Sequence, residues 1–226
     1  MKTKLNSLMN RVDTRLAACA AAAGATVALP AVSDATIVWS GPVSINIPST
    51  SPGVYLNVVN GVNNPSPAAV PGWDLNPFGT TGLSFFAATP TATSGALINA
   101  TGGNSATLVD NLPVGFLISN AFTFGTNNAV ETVGATAVNL SSSNNLFGFR
   151  FVDPSVNGGA VAFGWVRISL SATTVGQPRA IVEYAYENSG APIAAGVVPE
   201  PTTFALLGVM AAGALGVRAW RGRKSA

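Results

Sequence analysis

Charge is gathered at the two ends of this chain, and that placement limits what the middle can be. Of eleven basic residues, Lys2, Lys4, Arg11 and Arg15 lie in the first fifteen positions and Arg218, Arg221, Arg223 and Lys224 in the last nine. Each basic cluster borders a run without charge. Residues 16–29 read LAACAAAAGATVAL and residues 202–217 read TTFALLGVMAAGALGV. Apolar runs flanked by cations are topological signals rather than parts of a soluble core. A fold must therefore be built from the residues between, roughly 36–197.

That middle stretch has its own charge balance. It contains Arg150, Arg167 and Arg179 against Asp74, Asp110, Glu131, Asp153, Glu183 and Glu187, a net charge of −3. The pI near 9.0 is a property of the ends. A nucleic-acid-binding surface is disfavoured for the body, because neutralising phosphates needs clustered Lys or Arg. The sole cysteine, Cys19, falls in the first apolar run, so the body has no disulfide framework. A chain of this length buries enough apolar surface to fold without one.

Residues 1–35 read as a secretory signal helix, which makes the Sec translocon a partner. The basic region runs to Arg15, and the fourteen-residue apolar run is too short to cross a core of ~30 Å comfortably. Pro30 breaks the helix, and Ser33-Asp34-Ala35 puts small residues three and one before a cut after Ala35, with Ser33 as the second choice. Leu16-Ala17-Ala18-Cys19 resembles a lipobox, but here the apolar run follows the cysteine instead of preceding it, so a lipoprotein is not expected.

The other end carries more information. A helix over 202–220 rises ~28 Å at ~1.5 Å per residue, enough for a thin bilayer core. Trp220 suits the interface, and Arg218, Arg221, Arg223 and Lys224 hold the C-terminus on the cytoplasmic side, leaving the body outside. Before the helix stands Val198-Pro199-Glu200-Pro201, whose two prolines keep the chain extended and accessible to a protease.

Pro199-Glu200-Pro201, the apolar helix and the basic end together resemble the PEP-CTERM sorting signal, over residues 198–226. The resemblance implies a Gram-negative-type bacterium and recognition of the tail by exosortase, a membrane-embedded cysteine protease. It also implies delivery to the cell surface or the exopolysaccharide matrix of a biofilm. A permanent membrane anchor is the alternative for the same tail.

Within the body no helical period persists, whereas alternation is frequent and predicts strands at 43–47, 54–59, 83–87, 116–119 and 121–124. The strongest expectation is a hairpin. Phe147, Phe149 and Phe151 share one face with Arg150 on the other. Val166, Ile168 and Leu170 share a face opposite Trp165, Arg167 and Ser169, and the turn-rich segment 153–159 lies between. Residues 180–186 add a strand antiparallel to the second arm, while 60–80 and 88–105 read as long loops. The fold class expected is all-β, an antiparallel sandwich or jelly-roll-like body. Gly164, Trp165, Ala185, Tyr186, Glu187, Gly190, Ile193, Ala195 and Gly196 also resemble a block found ahead of the tail in many PEP-CTERM proteins, which extends the resemblance to 147–226.

Chemistry has few residues to work with. Without histidine or a body cysteine, no Ser-His-Asp or Cys-His arrangement can form, and a typical zinc site lacks its ligands. Glu183 and Glu187 share a strand face but lie ~13 Å apart at ~3.3 Å per residue, too far for a glycosidase pair. A polysaccharide-active enzyme would need cross-strand carboxylates. Asp153, Ser155 and Asn157 alternate like ligands for a hard cation such as calcium, although the same residues simply make turns. Trp165 and Arg167 on the outward face are the candidates for contact with a sugar. The expectation is a non-enzymatic surface or matrix protein without cofactors, structural or interacting with exopolysaccharide.

Overall fold

The long hairpin forms where its alternation places it. In the computed structural model, which describes residues 36–90, 92–98, 100 and 107–198, β11 (Ser142–Val152) pairs antiparallel with β12 (Val161–Leu170) from Val152↔Val161 through Leu146↔Arg167. Phe147, Phe149 and Phe151 are at most 1% exposed, and Val166 and Ile168 are fully buried beside them. The loop closes as an Asx turn: Asp153 Oδ1 accepts the Ser155 N–H at 2.7 Å, and Asn157 adopts φ 49°. Next to β12 runs β13 (Ala180–Glu187), antiparallel, with one extra residue opposite Arg167–Ile168.

Shorter strands complete this sheet. β1 (Ile37–Trp39) pairs with the end of β13, and β2 (Ile45–Asn46) with its start. On the far side β7 (Gly95–Ile98) pairs with β11, and β9 (Thr123–Gly125) with β7. A second antiparallel sheet is built from β3 (Tyr55–Leu56), β4 (Asn63–Asn64), β5 (Leu75–Phe78), β6 (Ser84–Ala87) and β10 (Asn127–Ala129), in the order β10-β6-β5-β3-β4. Burial joins the two. Leu56, Leu75 and Phe85 of the second sheet, with Leu83 just ahead of β6, lie in one core with Phe147, Phe149, Val166, Ile168 and Tyr186 of the first, and the Phe85 and Phe147 rings meet at 5.0 Å. Each such ring contributes about 3–5 kcal/mol against truncation to Ala.

The large sheet is covered on its other face as well. There β8 (Leu117–Ile118) and β14 (Ile193–Ala194) pair as a two-stranded third layer. Ile118 and Ile193 press onto Leu146, Phe163, Trp165 and Ala185 in a second core cluster.

The described body is thus mostly antiparallel β, as expected, with differences in detail. The segments read as loops at 60–80 and 88–105 contain β4, β5 and β7. β5 includes Pro77, which removes a ladder donor, and β7 begins at Gly95, so neither presents a strand signal. The signal segment with its cut after Ala35, the motif Pro199-Glu200-Pro201, the helix over 202–220 and the basic residues Arg218, Arg221, Arg223 and Lys224 lie outside the described residues. Among the described residues no helix is long and apolar enough to cross a membrane.

Candidate functional site

Strand alternation puts Glu183 and Ala185 of β13 on the face that carries the third layer, with Tyr184 and Tyr186 in the main core. The third layer covers only part of that face. Gly196 marks its limit at φ 70°, where an added Cβ would stand 2.9 Å from Leu146 Cδ1 and 3.2 Å from Arg167 Nη2. Beyond it the sheet reaches solvent, and there the polar side chains form a row across four strands.

The row is tied together by its charges. Arg167 Nε donates to Glu183 Oε1 at 2.6 Å across β12 and β13, and its Nη1 donates to Asn144 Oδ1 on β11. The second Glu183 oxygen accepts the indole N–H of Trp39 on β1 at 3.0 Å. Side-chain exposures of 19% for Arg167 and 18% for Glu183 leave the pair partly solvated, so its own stabilisation is about 1 kcal/mol or less. Its effect is positional: it fixes an indole that remains 38% exposed. At the other end of the row, Asn144 also lines a cleft of about 420 Å³ walled by Asn111, Thr136, Asn139 and Leu146. No Asn144 Nδ2 partner occurs among the described residues.

Residues 197–224 match the family model of the PEP-CTERM protein-sorting motif. The chain carries a PEP-CTERM sorting signal. Such a signal implies export, processing by exosortase and a surface or extracellular destination reached through a membrane-anchored intermediate. The match is confined to the tail, and no curated protein and no solved structure matches the chain. The PEP-CTERM signal begins inside the folded body. Val197 N–H donates to the Ala194 carbonyl at 3.2 Å, and Val198 packs against the second core cluster. No spacer separates the body from Pro199.

The structure sorts the residues singled out in the sequence. Arg167 lies on the outward face and joins the row. Trp165 is a correction. It points to the same face but is fully buried beneath β8 and β14, with the Arg167 guanidinium 5.9 Å from its ring, so it offers no surface to a sugar. The exposed indole in the row is that of Trp39, for which a three-residue strand left no periodic signal.

The candidate cation ligands are engaged in the turn. Asp153 Oδ1 accepts from Ser155, and the Asn157 amide donates to the Val161 carbonyl at 2.7 Å. No group of three or more acidic side chains able to hold a metal ion occurs among the described residues.

Five of the six body carboxylates are likewise engaged by neighbouring donors. Glu187, 1% exposed, accepts the N–H groups of Ser189 and Ala191, the latter at 2.6 Å, and shapes the turn into β14. Glu131 accepts from Thr136 Oγ1 at 2.7 Å. Asp74, 4% exposed, accepts from the Val58 N–H at 2.9 Å. Burial pushes the Asp74 carboxyl up to about 7; the Val58 N–H opposes the shift, and the charge of Asp153 adds to it.

Proposed function

We propose that this protein is a non-enzymatic surface or matrix component, exported by Sec and sorted by exosortase, whose β-sandwich body contacts exopolysaccharide. The observation that carries the reading is Trp39, an exposed aromatic ring held in one orientation by Glu183 at the head of a hydrogen-bonding row. A pyranose presents an apolar ring face and a rim of hydroxyls. An indole surface followed by carboxylate, guanidinium and amide groups complements both, and the Asn-lined cleft at the end of the row extends that chemistry. Pre-organisation by the Arg167–Glu183 pair lowers the ordering cost of binding.

Support for the non-enzymatic reading over a polysaccharide-active enzyme comes from five of the six body acids. Asp74, Glu131, Asp153, Glu183 and Glu187 are each committed to neighbouring donors. The test is co-sedimentation of the protein with exopolysaccharide extracted from its own matrix. Trp39→Ala should weaken binding by ~3- to 10-fold, the range expected for one aromatic contact of about 0.5–1.5 kcal/mol. Unchanged binding in that variant, or no binding by the parent, would sink the reading.

A further inference from the structure

The third layer has an outer side as well as the inner side that buries Trp165. Gly115 N–H donates to the Ala195 carbonyl and Ala195 N–H to the Phe116 carbonyl, each at 2.8 Å, so the loop over 113–122 is fastened to the base of the tail. Alternation on these short strands buries Ile118 and Ile193 and turns their neighbours outward. Leu117 is 55% exposed, Val114 62% and Val197 39%. Behind them the Phe116 and Phe122 rings, partly buried, lie 5.1 Å apart. No charged residue occurs between Asp110 and Glu131, or between Glu187 and Glu200.

We propose that this outer side, presented by Val114, Leu117 and Val197, rests on the lipid bilayer while the tail is still in place. The proposal rests on the reading of residues 202–220 as a membrane span. The reach of the chain decides the occupant. From Val198, the last residue packed on the body, to Thr202 is four residues, at most ~14 Å at ~3.5 Å each. The headgroup layer takes up about 5–8 Å of that distance. What remains is less than the ~10 Å thickness of one packed sheet layer, so the face from which the tail departs lies against the headgroups.

An apolar, uncharged surface suits that position, and with no cation on it the contact does not depend on anionic lipid. In this arrangement the body rests on the membrane by the third layer.

The test uses the full chain with Cys19→Ser and a single fluorophore-labelled cysteine, reconstituted in zwitterionic phosphatidylcholine vesicles. The label is placed at Val114→Cys, at Leu117→Cys, at Asn60→Cys on the β3–β4 connection as a remote position, or at Leu207→Cys within the tail. Spin labels sit on the lipid headgroups or deep in the acyl chains. Headgroup quenching at 114 and 117 should exceed that at 60 by at least about twofold. If deep labels quench position 207 while 114 and 117 behave like 60, the docking proposal fails and the membrane span stands. If 207 itself escapes deep quenching, the span fails and the proposal with it. All three labelled body positions are solvent-exposed in the fold, and unaltered far-ultraviolet circular dichroism confirms that each variant is folded.

Discussion

The Nε of Arg179 donates to the main-chain carbonyl of Ile47 at 3.2 Å, although the arginine has no exposed surface. The rest of its guanidinium is equally engaged: Nη1 donates to the Thr174 carbonyl at 2.8 Å, and Nη2 to those of Pro48 at 2.7 Å and Gly79 at 3.2 Å. One planar fork thus ties three separate segments at one end of the two sheets. Burial lowers the pKa of Arg179 from its usual value, and the four carbonyl dipoles offset that cost in place of a counter-charge.

Arg179→Ala should therefore be among the most damaging substitutions in the body. It leaves four carbonyls facing a void and is expected to lower stability by at least about 3 kcal/mol, read as a drop in the urea midpoint. Arg179→Lys keeps the charge but not the fork, and should fall between parent and Ala. Equal midpoints for Lys and parent would show that charge alone, and not the planar geometry, holds the loops.

Asp74 should make stability fall as pH rises. Its folded pKa of about 7 stands above an unfolded value near 3.9, so the folded state binds the extra proton between those values. The contribution of the protonated form is complete below about pH 4 and is lost as pH climbs through about 7, a change of at most ~4 kcal/mol. Asp74→Asn keeps an acceptor for the Val58 N–H and removes the titration. Its stability relative to the parent should rise between pH 4 and 8, measured by urea unfolding at each pH. A constant difference across that range would mean that Asp74 titrates normally.

Gly164 is a third sensitive point. A Cβ at this position would lie 2.3 Å from Phe149 Cζ and 2.8 Å from the Ala185 carbonyl oxygen. The ring can shift, but the neighbouring strand cannot without breaking the β12–β13 ladder. Gly164→Ala should cost about 1–3 kcal/mol or more, seen as a lowered thermal midpoint. Adding Phe149→Leu should recover only part of the loss, because the backbone clash remains. Full recovery would place the whole effect on the ring.

The same region explains what the sequence made legible. Phe147, Phe149 and Phe151 announce their strand because three large apolar residues at a period of two have one common face, and the Asp-Asn-Gly turn after them sets the pairing. Alternation also assigns Trp165 and Arg167 to the opposite face correctly. It cannot tell whether that face is covered. The cover comes from Ile118 and Ile193, on strands of two residues each and 75 positions apart, too short for any periodic pattern. Trp165 is consequently buried while Arg167, two residues on, lies past the edge of the cover. Trp39 escaped notice for the same reason, since its place in the row depends on long-range pairing with β13.

The position of the exosortase cut follows from how the body ends. Ile193 is 1% exposed, Ala195 is fully buried, and Val198 packs against the second core cluster. Glu187 holds the preceding turn through Ser189 and Ala191. A cut ahead of Ile193 would strip β14 from β8 and expose Trp165 and Leu146, an apolar surface that drives aggregation. The mature protein should therefore end at or beyond Val198, and mass spectrometry of its C-terminal peptide checks this. Alanine replacement of Pro199, Glu200 and Pro201 together should leave the tail intact through Ala226 and the protein in the membrane fraction. A soluble, folded product ending before Ile193 would mean that the third layer is dispensable; a tail found intact in the parent would mean a permanent anchor.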